Sequence, residues 1–424
     1  LRVVEGRAII LSDYAGGDSA ASGGAGHAVR DHYSALRDHG VDVRLVSGFA
    51  AGEDADIVSL GGADLREGGR GGAIRTIYNP AARRSLGALL ADEDPERTVV
   101  ILHQWTRYLS PAAIGLLAPF RTMIYMHDYF WPCPNGAYYD FVERRPCDRR
   151  PLGLRCVAAD CDRAGRLHKL GRLARHVALR GVTRGHADRR LFLHLSDHAR
   201  RTAEPLLPGE RHADVRNWLA IPAAPPPARG TPRFDIGYFG RLEPEKGVSE
   251  LADAAVRLGL SGYYVGTGSL VASLAERPGQ HHRRWRPRAE MTAAMRACRV
   301  VVLPSRWPET WGLIVPEAMA AGVPVVVSMR AGSAELVQRF GGGATFDPAV
   351  PGDLDRALLE ALTAGEPVAA DRWPRFARYL SAERHADRIV ALAAQTWAID
   401  LRPAHAPRPV ASESLPGVRQ PLAT

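Results

Sequence analysis

Short, strongly apolar runs alternate with longer mixed stretches along most of the chain. Arg7 to Ser12 (RAIILS) predicts a buried strand, followed by a glycine-rich connection, a helix from about His27 to His39 and a strand, VDVRLVS, from Val41. The alternation continues with a helix over Ala81–Ala91, a strand over Thr98–His103, a short helix from Pro111 to Leu117 and a strand over Arg121–His127. After an irregular, cysteine-bearing stretch come a long helix from Arg163 to about Arg184, a strand over Leu191–Ser196 and a helix capped by Asp197. The first half closes near Asn217. Residues 219–232, LAIPAAPPPARGTP, are too rich in proline to join a sheet and predict a semi-rigid linker.

The second half repeats the pattern. Strands are predicted over Phe234–Gly240, Gly262–Val265, around His282, and over Val301–Leu303, Val325–Val327 and Ala344–Phe346. Between them lie helices over Glu245–Leu258, Leu270–Ala275, Arg288–Ala297, Leu313–Ala320, Ser333–Arg339 and Asp353–Thr363, with Cys298 assigned to a helix. A long helix follows from about Ala370 to Ala398, interrupted near Pro374. The reading is an α/β fold of two doubly wound domains facing each other across a cleft. It assigns 1–218 to an N-terminal domain with a cysteine-bearing insertion at 128–162, 219–232 to the linker and 233–369 to a C-terminal domain. Residues 370–400 form a helix packing back on the first domain, and 401–424 have the composition of a disordered tail.

Composition narrows this picture. At 424 residues the chain exceeds what one core usually serves, and 46% hydrophobic with 24% charged residues is ordinary for a soluble protein. The net charge of +9 raises the question of nucleic acid, yet Lys occurs only at Lys169 and Lys246, leaving 53 of 55 basic residues as Arg. So lopsided a choice reads as a bias over the whole sequence, and a dispersed one without an aromatic stacking platform argues against a nucleic-acid binder. It also makes one position informative, because the Lys kept at Lys246 offers the compact ammonium that a tight phosphate pocket can require. No stretch of about 18 apolar residues exists to span a membrane. The start, LRVVEGRAIILSD, has Glu5 and Arg7 before a very short apolar run, unlike a signal peptide. The expectation is a cytoplasmic protein, at most peripheral to the inner face of a membrane.

Residues 301–328, VVLPSRWPETWGLIVPEAMAAGVPVVVS, concentrate the candidate chemistry. Glu309 falls in the loop before a helix and Glu317 inside it, too far apart for an acid/base pair but suited to the two ends of an elongated ligand. Between them, near Gly312 and Leu313, lie the free N–H groups of a helix start, where phosphates bind readily. At the first strand of the second domain, FDIGYFGRLEPEKG sets Arg241 and Lys246 just past a strand end, between Gly240 and Gly247. Both cations are expected to face the cleft. Gly266 and Gly268 (VGTGSL) form a further turn, and Gly23, Gly24 and Gly26 precede the first helix. His127 and Asp128 close the strand RTMIYMH, and His103 ends a neighbouring strand.

These motifs together resemble the large family of retaining glycosyltransferases with the GT-B fold, the glycosyltransferase family 4 type or glycosyl transferases group 1. PETWGLIVPEAMAAGVPVV is similar to its Glu-x7-Glu element, GRLEPEKG to its GRLxxxKG element, MHDYFWPC to its HD element and SGGAG to its glycine loop. Asn217 matches the Asn of the family's usual Asn-Gly before the linker, with Trp218 in place of the Gly. The resemblance implies transfer of a hexosyl group, with retention, from a UDP- or GDP-sugar to a hydroxyl of a glycan, lipid-linked or small-molecule acceptor. It gives catalytic roles to Glu309, Lys246, Arg241 and His127. Gly24, Gly240, Gly266, Gly268, Gly312, Leu313 and Glu317 become the donor-binding set. No cofactor and no catalytic metal are then required.

Cys133, Cys147, Cys156 and Cys161 lie in one irregular segment. Four such thiols suit a structural zinc, but the spacings are long and contain no CxxC pair, so free thiols remain the other reading. Asp-x-Asp pairs at Asp54/Asp56, Asp92/Asp94 and Asp160/Asp162 end no clear strand and read as chance. A dinucleotide-dependent oxidoreductase shares the layering, but it needs a glycine fingerprint directly after a strand with an acidic residue about 20 positions on, which neither glycine turn supplies.

Overall fold

The computed structural model describes residues 3–15, 23–49, 56–65, 74–285 and 287–402. The first lobe contains β1 (Val4–Glu5), β2 (Arg7–Ser12), β3 (Val43–Phe49), β4 (Ile57–Gly62), β5 (Thr98–Leu102), β6 (Arg121–Tyr125), β7 (Tyr139–Asp140), β8 (Arg145–Pro146), β9 (Arg190–His194) and β10 (His212–Asp214). Its helices are α1 (Gly23–Asp38), α2 (Pro80–Leu90), α3 (Pro111–Ile114), α4 (Leu154–Ala158), α5 (Arg166–Val182) and α6 (Asp197–Ala203). Seven strands form a parallel sheet in the order β10-β9-β6-β5-β2-β3-β4. Its central strands are apolar on both faces, as helices on both sides require: Ile9, Ile10 and Leu11 are all buried.

The second lobe repeats the design with β11 (Phe234–Phe239), β12 (Gly262–Val265), β13 (Gln280–Arg283), β14 (Cys298–Leu303), β15 (Val325–Ser328) and β16 (Gly343–Phe346). The helices between them are α7 (Val248–Arg257), α8 (Val271–Ala275), α9 (Arg288–Arg296), α10 (Ile314–Ala320), α11 (Ala334–Phe340) and α12 (Asp353–Ala364). The sheet is parallel, in the order β13-β12-β11-β14-β15-β16.

The chain then returns to the first lobe. Helices α13 (Trp373–Tyr379) and α14 (Ala382–Trp397) lead to β17 (Ile399–Asp400), which pairs in parallel with β1. The α14 side chains Ile389 and Leu392, with Trp373 and Phe376 of α13, join core residues of both lobes into one continuous apolar cluster.

Several local expectations are corrected. The C-terminal helix breaks at Leu380–Ser381, where Ser381 caps α14 by accepting from the Arg384 N–H at 3.2 Å, whereas Pro374 sits in the first turn of α13, a position that needs no N–H. Ser196, not Asp197, caps α6, its hydroxyl accepting from the Ala199 N–H at 3.0 Å. Cys298 opens β14 rather than lying in a helix. Helix α1 already begins at Gly23, so Gly23, Gly24 and Gly26 lie in its first turn; residues 16–22 of the glycine-rich connection lie outside the described residues, as do 403–424 of the expected tail. Strands β4 and β10, at the two sheet edges, were not expected.

Candidate functional site

In each sheet the strand order reverses at one point, between β2 and β5 in the first lobe and between β11 and β14 in the second. Loops leaving neighbouring strands in opposite directions open a crevice there, at the strands' C-terminal ends. In the second lobe those loops carry two of the residues expected to be catalytic, Lys246 and Glu309. Lys246 ends the 3-10 turn Pro244–Lys246 after β11, and Glu309 lies in the loop after β14. Gly247 makes the approach possible: its φ is +73°, and a Cβ there would stand 2.0 Å from the Pro304 carbonyl oxygen.

Lys246 Nζ donates to Glu309 Oε1 at 2.8 Å and lies 4.7 Å from the centre of the Trp307 ring. Glu309 also accepts from the Ser305 hydroxyl, and from the Trp307 indole N–H at 3.4 Å. Burial opposes ionisation of Glu309, but Lys246 and these donors outweigh it and hold the carboxyl below its ordinary range. Burial pulls Lys246 below the usual lysine value, while Glu309 acts to raise it. The two therefore stand as an enclosed ion pair with further hydrogen bonds on the acid.

The other expected residues surround this pair. Arg241 is half exposed, its guanidinium 3.5 Å from Glu245, so it lies at the rim rather than beside Glu309. Gly240 and Gly266 pack backbone on backbone: a Cβ on Gly266 would meet the Gly240 carbonyl oxygen at 1.9 Å. Gly268 approaches the Leu242 carbonyl in the same way. Gly312 and Leu313 lead into α10, where Glu317 stands about one turn in, its N–H donating to the Leu313 carbonyl at 3.2 Å. Helix starts of this kind leave their first N–H groups without intrahelical partners.

Across the cleft, His103 and His127 follow β5 and β6, with His103 Nδ1 2.8 Å from His127 Nε2. His32 of α1 and His385 of α14 stack beside them, ring centres 4.4 Å apart, and His385 Nε2 lies 3.3 Å from the Tyr125 hydroxyl. Asn217 is buried, with Oδ1 3.1 Å from His32 Nε2, and the Trp218 indole donates to the Asp31 carbonyl. Burial holds His127 at about 4 and lifts Asp128 to about 6.

Contacts that sequence reasoning missed bind the two lobes at this point. The Thr310 hydroxyl donates to the His127 carbonyl at 2.9 Å, and the Thr310 carbonyl accepts from the Ser196 hydroxyl at 2.8 Å. Buried Glu245 accepts from Arg163, and Arg216 donates to Glu335 at 2.5 Å. Thr310 follows Glu309 directly, but no local pattern marks which residue of a distant lobe it meets. Of the Asp-x-Asp pairs, Asp56, Asp160 and Asp162 are engaged by Arg37, Arg166 and Arg172, and Asp94 accepts from the Glu96 N–H; Asp54 lies outside the described residues.

Residues 233–364 match the sequence profile of the family described as Glycosyl transferases group 1. The chain is 30% identical over 210 residues to glycogen synthase of Mycobacterium tuberculosis, covering 46% of this chain and 50% of that protein. It thus spans about half the length of the curated relatives it matches. Among solved structures, sucrose-phosphate synthase from Thermosynechococcus elongatus is similar with a TM-score of 0.63 at 15% identity, covering 92% of this chain and 99% of that one. Anabaena HepE in complex with UDP gives 0.59 at 17%, covering 91% and 98%. The α,α-trehalose-phosphate synthase (UDP-forming) from Burkholderia xenovorans gives 0.59 at 15%, covering 91% and 99%. The second lobe of this chain is accordingly similar to the glycosyl transferases group 1 family over residues 233–364, within a molecule of GT-B fold built from two Rossmann-like domains.

Proposed function

We propose that the protein is a retaining glycosyltransferase that moves a hexosyl group from a UDP- or GDP-sugar to an acceptor hydroxyl of a glycan, a lipid-linked or a small molecule. The observation that carries this reading is the enclosed Lys246–Glu309 pair at the switch point of the second lobe, 2.8 Å apart. A largely enclosed ion pair whose acid has further hydrogen-bond donors is poised to exchange partners, with Lys246 turning to a phosphate and Glu309 to sugar hydroxyls. In this reading Lys246, the N–H groups before α10 and Arg241 at the rim stabilise the charge that grows on the departing diphosphate. Glu317 holds the ribose, Gly240, Gly266 and Gly268 let the backbone approach the donor, and Gly24 borders the acceptor side.

His127 faces the donor sugar from the other lobe, and because burial holds it at about 4 it works near neutrality as an uncharged hydrogen-bonding group rather than as an acid. The acceptor's proton passes to the leaving phosphate oxygen on the face where the sugar departs. Fixed cations then do what a divalent metal does in the other major glycosyltransferase fold, and chelator should leave turnover unchanged. UDP in the HepE structure and the UDP-forming synthase make uridine donors the first to screen.

The test is release of nucleoside diphosphate from a panel of sugar nucleotides, followed by chromatography. Lys246→Ala should lower turnover by on the order of 10²-fold or more, the scale of one lost charge-stabilising group. Equal turnover in the variant, or no release from any donor by the parent protein, would overturn the reading.

A further inference from the structure

Cys133, Cys147, Cys156 and Cys161 come from separate turns and strand ends around β7, β8 and α4, yet all four line one small cavity of about 10 Å³, space for a single atom-sized guest. All are free thiols. Lys169, one of the two lysines in the chain, enters the same cavity from α5 and is 4% exposed. Its Nζ donates to the carbonyl oxygens of Cys156 and Ala159, the latter at 2.5 Å, and lies 3.3 Å from Cys161 Sγ.

Charge identifies what these groups lack. The other cations at the cavity have carboxylates: Arg149 pairs with Asp140 at 2.6 Å and Glu143 at 2.9 Å, and Arg172 with Asp162 at 3.1 Å. Among the described residues no carboxylate pairs with Lys169. A buried ammonium with no carboxylate bonded to it is costly; Asp162, which lines the same cavity, is taken by Arg172, and the acidic group at contact distance is the Cys161 thiol, 3.3 Å away. Four thiolates would overcompensate one lysine, unless they also surround a divalent cation. Tyr139 and Ala137 anchor the start of the segment in the core, whereas Val142, Leu154 and Val157 further along are exposed.

We propose that Cys133, Cys147, Cys156 and Cys161 bind one zinc-class divalent cation as a tetrathiolate, with Lys169 as its buried counter-ion. Among the described residues no three His, Cys, Asp or Glu side chains stand at metal-ligand spacing, so binding draws the thiols inward to about 2.3 Å from the ion. Each thiol that ligates loses its proton to solvent, and sulfur–metal bonds tie together the turns that carry the four cysteines.

The test uses the full chain, stripped by chelator and titrated with cobalt(II) as a coloured probe, and is independent of donor turnover. The expected result is the absorption of tetrahedral, thiolate-bound cobalt, saturating at about one equivalent, displaced by zinc and accompanied by proton release. Cys161→Ser should abolish that spectrum, Lys169→Met should weaken cobalt binding about 10-fold or more, and Cys298→Ser should change nothing. If Cys161→Ser does not fold, Lys169→Met decides. A folded parent protein that gives no thiolate–cobalt absorption while its thiols stay open to a thiol reagent overturns the proposal, as does unchanged cobalt affinity in Lys169→Met.

Discussion

Glu309 has three donors, and they are unequal. Removing its charge as Glu309→Gln keeps the shape but leaves Lys246 buried with a neutral partner, which in the absence of substrate costs stability of the order of ~3 kcal/mol for a broken enclosed pair. In the proposed reaction Lys246 serves the diphosphate and Glu309 the sugar. Glu309→Gln should therefore impair transfer while leaving nucleoside diphosphate affinity close to that of the parent, as measured by calorimetry. Equal losses of transfer and of diphosphate binding would refute this division of labour. Both members of the pair were legible in the sequence, because each follows a run of apolar residues that can only be a strand and because Lys is so scarce. Ser305 and Trp307, which complete the environment of Glu309, lie in the same quoted stretch but carry no spacing that marks them.

At the scale of elements, the buried histidines set how the protein responds to acid. His127, His176, His198 and His385 are each held at about 4 by burial, against an ordinary 6.5, and burial also pushes His32, His103 and His194 well below that ordinary value. Between pH 6.5 and 4 the unfolded chain takes up protons that the folded one refuses, so stability falls as pH drops, by up to ~1.4 kcal/mol per pH unit for each such group. Asp13 and Asp128 act in the opposite sense, since burial raises them to about 6 and the fold binds their protons first. Glu335 is raised by burial as well, and three carboxyls do not offset this many histidines. The urea midpoint should fall between pH 7.5 and pH 5, and a midpoint that rises on acidification would contradict the assignment. None of this clustering was readable beforehand. His385 and Tyr125 lie 260 positions apart, and periodicity reports only which face of an element is apolar, not which distant element covers it. Strands β4 and β10 escaped for a related reason: β4 at one edge is mostly exposed or half-buried, and β10 at the other is only three residues long and carries His212 and Asp214 in place of an apolar run.

At the scale of the molecule, α13, α14 and β17 join the two lobes in addition to the proline-rich linker. The apolar cluster that contains Trp373, Phe376, Ile389 and Leu392 spans both lobes, and Arg388 donates to the Asp214 carbonyl at 3.0 Å. Ending the chain at residue 369 should expose that surface and give aggregated or non-cooperatively melting protein by size-exclusion chromatography and calorimetry. A monomeric, cooperatively folded product would show that each lobe closes its own core.

The pairing of β1 with β17 also places the two described chain ends side by side, just before β2 begins. All strands of the first-lobe sheet run the same way, so this junction lies at the edge opposite the cleft. A fusion partner or surface tether attached directly at residue 3 or residue 402 would start behind the molecule, away from the mouth. A short bridge between the ends, with the backbone reopened at 219–232, would yield a circular permutant whose lobes are reversed in sequence and unchanged in space.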